Sequence, residues 1–127
     1  MARLNEFLPY VQHSVDEDDI TAVVDVLRGK WLTTGPSVSV FERALENKVG
    51  AKHALAVSSG TAALHIAALT VGLGPGDCAI VPTITFVATA NAVRYCGADV
   101  IFADVEPDTG LMGPVQFEAA IVRARQN

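Results

Sequence analysis

AVSSGTAALHIAAL, residues 56–69, is the stretch on which the reading of this chain turns. An apolar run stops at Val57. Ser58, Ser59, Gly60 and Thr61 follow, and then an apolar run of helical length begins. That is the pattern of a strand turning directly into a helix. At such a junction free backbone N–H groups point out of the helix start, and the helix dipole adds partial positive charge. A small loop there suits an anion, phosphate above all. Gly60 lets the backbone approach closely, and Ser59 and Thr61 can add hydroxyl donors. Ordinary helix capping by Ser or Thr, worth about 1 kcal/mol, uses the same residues, and the local pattern serves both readings equally. SSGT is neither a Walker loop, since no Gly-Lys-Ser/Thr follows, nor the dinucleotide fingerprint with its three spaced glycines.

Outward from this junction the pattern repeats. His53 to Val57 is predicted as a strand and Thr61 to Val71 as a helix, followed by a turn at GLGPGD. Cys78 to Val81 is a second strand, Phe86 to Tyr95 a helix ending at Gly97, Val100 to Ala103 a third strand, and Pro114 to Arg125 a further helix. The strands are apolar continuously rather than alternately, which predicts a parallel sheet buried on both faces. Two helices precede it. Ser14 and Glu17 form a capping box, Ile20, Val23, Val24 and Leu27 follow at helical spacing, and Gly29 ends the first helix. After the kinked loop KWLTTGP, Pro36 starts the second, whose stripe is Val38, Phe41, Leu45 and Val49, and Gly50 stops it. Residues 1–13 read as an arm without clear period.

The totals narrow the function. The chain has 127 residues, half of them hydrophobic, and its mean hydropathy is positive. That is rich for a free-standing domain and predicts apolar surface buried against more polypeptide or a second subunit. Three parallel strands leave two open edges and too little sheet for the helices to cover, so the chain is expected to be the N-terminal part of a larger protein. Net charge is −5, and the nine basic residues form no patch, which argues against nucleic acid and anionic membrane as partners. The acidic run Asp16 to Asp19 is a helix first turn. Cys78 and Cys96 match no metal-ligand spacing and read as reduced, buried, small hydrophobes of a cytoplasmic protein. No apolar run is long enough to span a bilayer.

Two further candidates lie beside the first. Ligands of open α/β sheets bind outside the carboxyl ends of the strands. Phe86 starts a helix there, and a flat aromatic beside a phosphate site could stack on a ring cofactor; packing of the helix start is the plainer role. Asp104 ends the third strand, where a turn-forming role for residues 104–110 is at least as fitting.

The ordered set WLTTGPSVSVFE, AVSSGTAALHIAAL and GLGPGDCAIVPTITFVATANAVRYCGADVIFADVEPDTG resembles the N-terminal part of the DegT/DnrJ/EryC1/StrS aminotransferases. The resemblance implies the aspartate-aminotransferase (fold type I) α/β architecture. Residues 1–52 would form the arm and two helices, and residues 53–127 a truncated first part of the pyridoxal-phosphate-binding domain. It implies a pyridoxal 5′-phosphate enzyme, working as a homodimer, that moves an amino group from glutamate to nucleotide-linked keto-sugars for surface polysaccharide synthesis. Gly60 and Thr61 would bind the cofactor phosphate with Ser59 nearby, Phe86 would stack on the pyridine ring, and Thr33, Thr34 and Gly35 would line the substrate region. Asn91, in ATAN, is structural. Cys78 and Ala79 stand where the family usually has an acidic residue and a valine. The family's cofactor-linking lysine and its pyridine-pairing aspartate lie past the position where this chain ends, and Lys30, Lys48 and Lys52 match neither position nor context. No catalytic residue is therefore expected in this segment, and the segment alone is expected to be inactive. The alternatives are a noncatalytic phosphate-binding truncated module, and a sugar dehydratase of the same family with histidine in place of that lysine.

Overall fold

The computed structural model describes Pro9 and residues 11–126. Most of the expected arm, residues 1–8 and 10, lies outside the described residues. The chain divides into two compact units, Met1–Ala56 and Val57–Asn127.

The first unit holds helices α1 (Glu17–Arg28) and α2 (Pro36–Val49). The cap of α1 is Asp16 rather than the expected Ser14. The Asp16 carboxylate accepts the N–H groups of Asp18 and Asp19, both at 3.0 Å, and the Asp19 carboxylate returns to the Asp16 N–H at 3.1 Å. An ionised acceptor makes the stronger bond to a backbone donor, and starting at Glu17 still leaves Glu17, Asp18 and Asp19 in the turn where the dipole favours negative charge. Gly29 ends α1 as expected. Pro36 opens α2 without losing a helical bond, and Gly50, at φ +69°, closes it in the left-handed region. Neither helix buries a residue; Leu27, Phe41 and Val49 of the two predicted stripes stay exposed.

The expected strand at His53–Val57 is not part of a sheet. Among the described residues the segment has no ladder partner; instead the N–H groups of Ala54 and Ala56 donate to the carboxylates of Glu46 and Glu42. A strand exists only against a neighbour, and here two helical side chains take that place.

The second unit runs α3 (Gly60–Thr70), β1 (Cys78–Pro82), α4 (Ala88–Tyr95), β2 (Asp99–Ala103) and α5 (Pro114–Ala124). Its sheet has two strands where three were expected, paired in parallel from Cys78 opposite Asp99 to Pro82 opposite Ala103. The ladder extends through the Thr83 N–H, which donates to the Ala103 carbonyl at 2.9 Å, so the N–H that Pro82 lacks is not needed there. Helices α4 and α5 pack on the strands and α3 packs on α4, with the His65 and Tyr95 rings edge to face, 5.4 Å between centroids. Gly97 returns the chain from α4 to β2 at φ +81°, and a Cβ there would come within 3.1 Å of the Pro75 ring.

The core is thin and made of small residues: Val81, Val93 and Ala98, with Leu73, Ala79, Ala90 and Val100 against them. The strands are not buried on both faces as their sequences predict. Phe102 is 51% exposed and Cys78 is exposed, because too few helices cover so small a sheet. Only Cys96 behaves as the expected buried thiol, its Sγ donating to the Ala92 carbonyl. Ala98 has no exposed surface. Ala98→Leu is therefore expected to overpack the core and cost about 1–3 kcal/mol, read as a lowered urea midpoint at unchanged slope.

Candidate functional site

The start of α3 leaves three N–H donors without a partner among the described residues. Ser59 is its cap, in extended backbone, and its Oγ accepts the Ala62 N–H at 3.2 Å. The Ser59 carbonyl accepts the Ala63 N–H at 3.1 Å. A helix has four N–H groups without intrahelical partners at its start; here these belong to Ser59, Gly60, Thr61 and Ala62, and all but that of Ala62 have no partner among the described residues. Of the two readings of the sequence, the Ser59 cap is present.

Gly60 has no internal reason to be glycine. A Cβ built there meets nothing within 4 Å, and its φ is not in the left-handed region. What the missing side chain does is keep the approach to the N–H groups of Gly60 and Thr61 open. The Thr61 side chain is half-buried beside them.

Gly60 and Thr61 also line a cavity of about 600 Å³, together with Ala63, Leu64 and Ala67 of α3 and with Phe86 and Ala88. Phe86 does not start α4 as expected. The helix begins at Ala88, after a run of β-branched Thr83, Ile84 and Thr85 that resists helix. The loop is pinned by the Thr89 N–H on the Phe86 carbonyl at 3.0 Å and by the Thr85 and Thr89 hydroxyls at 2.9 Å. Phe86 is left 75% exposed with its ring at the cavity. No lining side chain carries charge, and a helix start in general favours negative charge. The apolar wall suits a flat ring.

The structure brings Gly60, Thr61 and Phe86 onto one cavity; Ser59 is not among its lining residues and serves as the cap of α3. The wall residues Ala63, Leu64 and Ala67 were missed, although their signal was present: with Gly60 they fall at i, i+3, i+4 and i+7, one face of a helix. Thr33, Thr34 and Gly35 belong to the other unit. Thr34 sits at φ +52°, costly for a β-branched residue, with its hydroxyl on the Thr33 carbonyl at 2.8 Å. A Cβ on Gly35 would lie 2.8 Å from the Trp31 Cβ, so this turn needs its glycine. Asp104 takes its turn role, its carboxylate accepting the Val105 N–H at 2.8 Å. A depression of about 610 Å³ at the amino ends of the strands is lined in part by Arg94 and Asp99. These two already neutralise each other at 2.6 Å.

A model of the DegT/DnrJ/EryC1/StrS aminotransferase family matches residues 13–127. The UDP-4-amino-4-deoxy-L-arabinose–oxoglutarate aminotransferase of Shewanella sediminis is 46% identical over 95% of this chain and 31% of its own length. The spore coat polysaccharide biosynthesis protein SpsC of Bacillus subtilis is 44% identical over 92% of this chain and 30% of its own length. Among solved structures, a protein of Streptococcus pneumoniae assigned as a sugar aminotransferase, in its PLP form, superposes with a TM-score of 0.79 at 34% identity, over 89% of this chain and 29% of that one. The chain spans about 30% of the length of the curated relatives it matches. The fold is that of the sugar aminotransferases.

Two substitutions separate cap from donor. Ser59→Ala removes the cap and is expected to lower stability by about 1 kcal/mol in urea unfolding. Gly60→Ala meets no neighbour and should leave the unfolding midpoint where it is or raise it slightly.

Proposed function

We propose, since the chain belongs to the DegT/DnrJ/EryC1/StrS aminotransferase family, that it supplies the phosphate cup and one stacking wall of the cofactor pocket of a sugar aminotransferase. The observation that carries the proposal is that Gly60 and Thr61, whose N–H groups have no partner among the described residues, line the same cavity as Phe86. The residues fit pyridoxal 5′-phosphate at both ends: donors and a helix start for the phosphate, an exposed aromatic face for the ring. The name of the Shewanella relative, which pairs a UDP-linked amino sugar with oxoglutarate, supports a nucleotide-linked keto-sugar as acceptor and glutamate as amino donor.

When bound, pyridoxal phosphate supplies the electron sink that lets an amino group leave one carbon and join another. The work of this chain is binding and orientation. Gly60 and Thr61 donate their N–H groups to phosphate oxygens, and the Thr61 hydroxyl adds a third donor. The Ser59 oxygen accepts the Ala62 N–H, which leaves its own O–H proton free to donate as well. The start of α3 stabilises the negative charge. Phe86 covers one face of the ring, and Ala63, Leu64, Ala67 and Ala88 keep water from the cavity wall. Thr33, Thr34 and Gly35 form the substrate-side loop, which the tight packing of Gly35 on Trp31 holds in one conformation.

The exposed apolar residues of α1 and α2 support assembly as a homodimer. No helix among the described residues is long and apolar enough to cross a membrane; the proposed nucleotide-linked substrate supports a cytoplasmic location.

The test is pyridoxal 5′-phosphate binding, followed by calorimetry. Thr61→Ala is expected to weaken binding about tenfold, the worth of a hydrogen bond to a charged group. Phe86→Ala should weaken it about threefold to tenfold through lost stacking. Equal affinity in wild type and both variants overturns the assignment. Residues 1–127 alone are further expected to show no glutamate-dependent conversion of the cofactor to its amino form, followed by absorbance; a measurable half-reaction contradicts this.

A further inference from the structure

Two carboxylates of α2 are accounted for by nothing in the site described above. Glu42 and Glu46 are half-buried, and among the described residues neither forms an ion pair. Each instead accepts a backbone N–H: Ala56 donates to Glu42 Oε1 at 2.9 Å and Ala54 to Glu46 Oε1 at 3.0 Å. The spacings match. Side chains four residues apart on a helix are separated by about 6 Å along its axis. Alternate N–H groups on an extended chain are separated by about 6.6 Å. The lower-numbered carboxylate meets the higher-numbered amide, so the segment is held antiparallel to α2. Two successive turns of the helix serve as a substitute strand edge and fix the register of residues 54–56 as a ladder would.

We propose that Glu42 and Glu46 are positioning residues for the anion site. They hold Ala54–Ala56 extended immediately ahead of the Ser59 cap. Ordering a residue costs conformational entropy, and a lead-in that is already ordered leaves less to lose when an anion orders Gly60 and Thr61. The coupling runs through the chain itself, three residues from Ala56 to Ser59. Bonds to ionised acceptors are the stronger kind, so the clasp persists without a sheet neighbour. This inference rests on the reading of Gly60 and Thr61 as phosphate donors and adds residues that touch no ligand.

The experiment pairs amide hydrogen exchange with calorimetric titration of inorganic phosphate, on wild type, E42A, E46A and E42Q, with circular dichroism confirming equal helix content. E42A is expected to speed exchange at Ala56 about tenfold or more and to weaken phosphate binding about threefold or more. E46A should act likewise through Ala54. E42Q keeps an acceptor oxygen at the same place and should return both readings to within about twofold of wild type. Unchanged exchange in E42A and E46A overturns the clasp. Faster exchange with unchanged phosphate affinity overturns the positioning role. A wild type that binds no phosphate overturns the reading of Gly60 and Thr61, and the positioning role with it, while the exchange rates still decide whether the clasp exists.

Discussion

The parallel ladder between Cys78–Pro82 and Asp99–Ala103 is the constraint on which the second unit depends. Parallel strands cannot be joined by a tight turn; the chain must cross back over the sheet, and it does so as α4. That crossing puts the loop after β1, with Phe86, at the carboxyl end of the strand, and packs α3 against α4. The start of α3 and the Phe86 ring then face one cavity. Without the ladder there is no reason for residues 60 and 86 to meet.

The same need for backbone partners explains the rest. At Asp16 it is met by the carboxylates of Asp16 and Asp19, at Ser59 by a hydroxyl and a carbonyl, and at Ala54 and Ala56 by Glu46 and Glu42. Unpaired backbone donors are costly wherever water cannot reach them. Side chains close the start of α1 and part of that of α3, whereas α2, α4 and α5 begin without a side-chain cap. The cavity that Gly60 and Thr61 line carries no charged side chain.

The small core has a matching cause. Its buried residues are alanines, valines and one cysteine, which let α4 approach the strands closely but bury little area each. The larger apolar side chains, Phe41, Leu55, Phe86 and Phe102 among them, lie at the surface. Packing within each unit is thus too slight to use them, consistent with a chain that spans about 30% of its relatives.

Much of this was written in local sequence. Proline at the first helical position, glycine after the last, continuous apolar runs of strand length and the Ser-Gly-Thr junction act over a few residues, and α2, α3, β1, β2 and α5 appear within a residue or two of where these signals put them. Gly60 and Thr61 were legible for the same reason, since a helix start is a local object. What tertiary structure alone decided is non-local. Whether His53–Val57 becomes a strand depends on a neighbour, and the neighbour proved to be two glutamates of α2. Whether Phe86 packs a helix or lines a cavity depends on where α3 lies, and whether an apolar strand is buried depends on how many helices cover it. Composition fixes what a segment prefers; only the packing of distant segments supplies the partner that lets the preference be met.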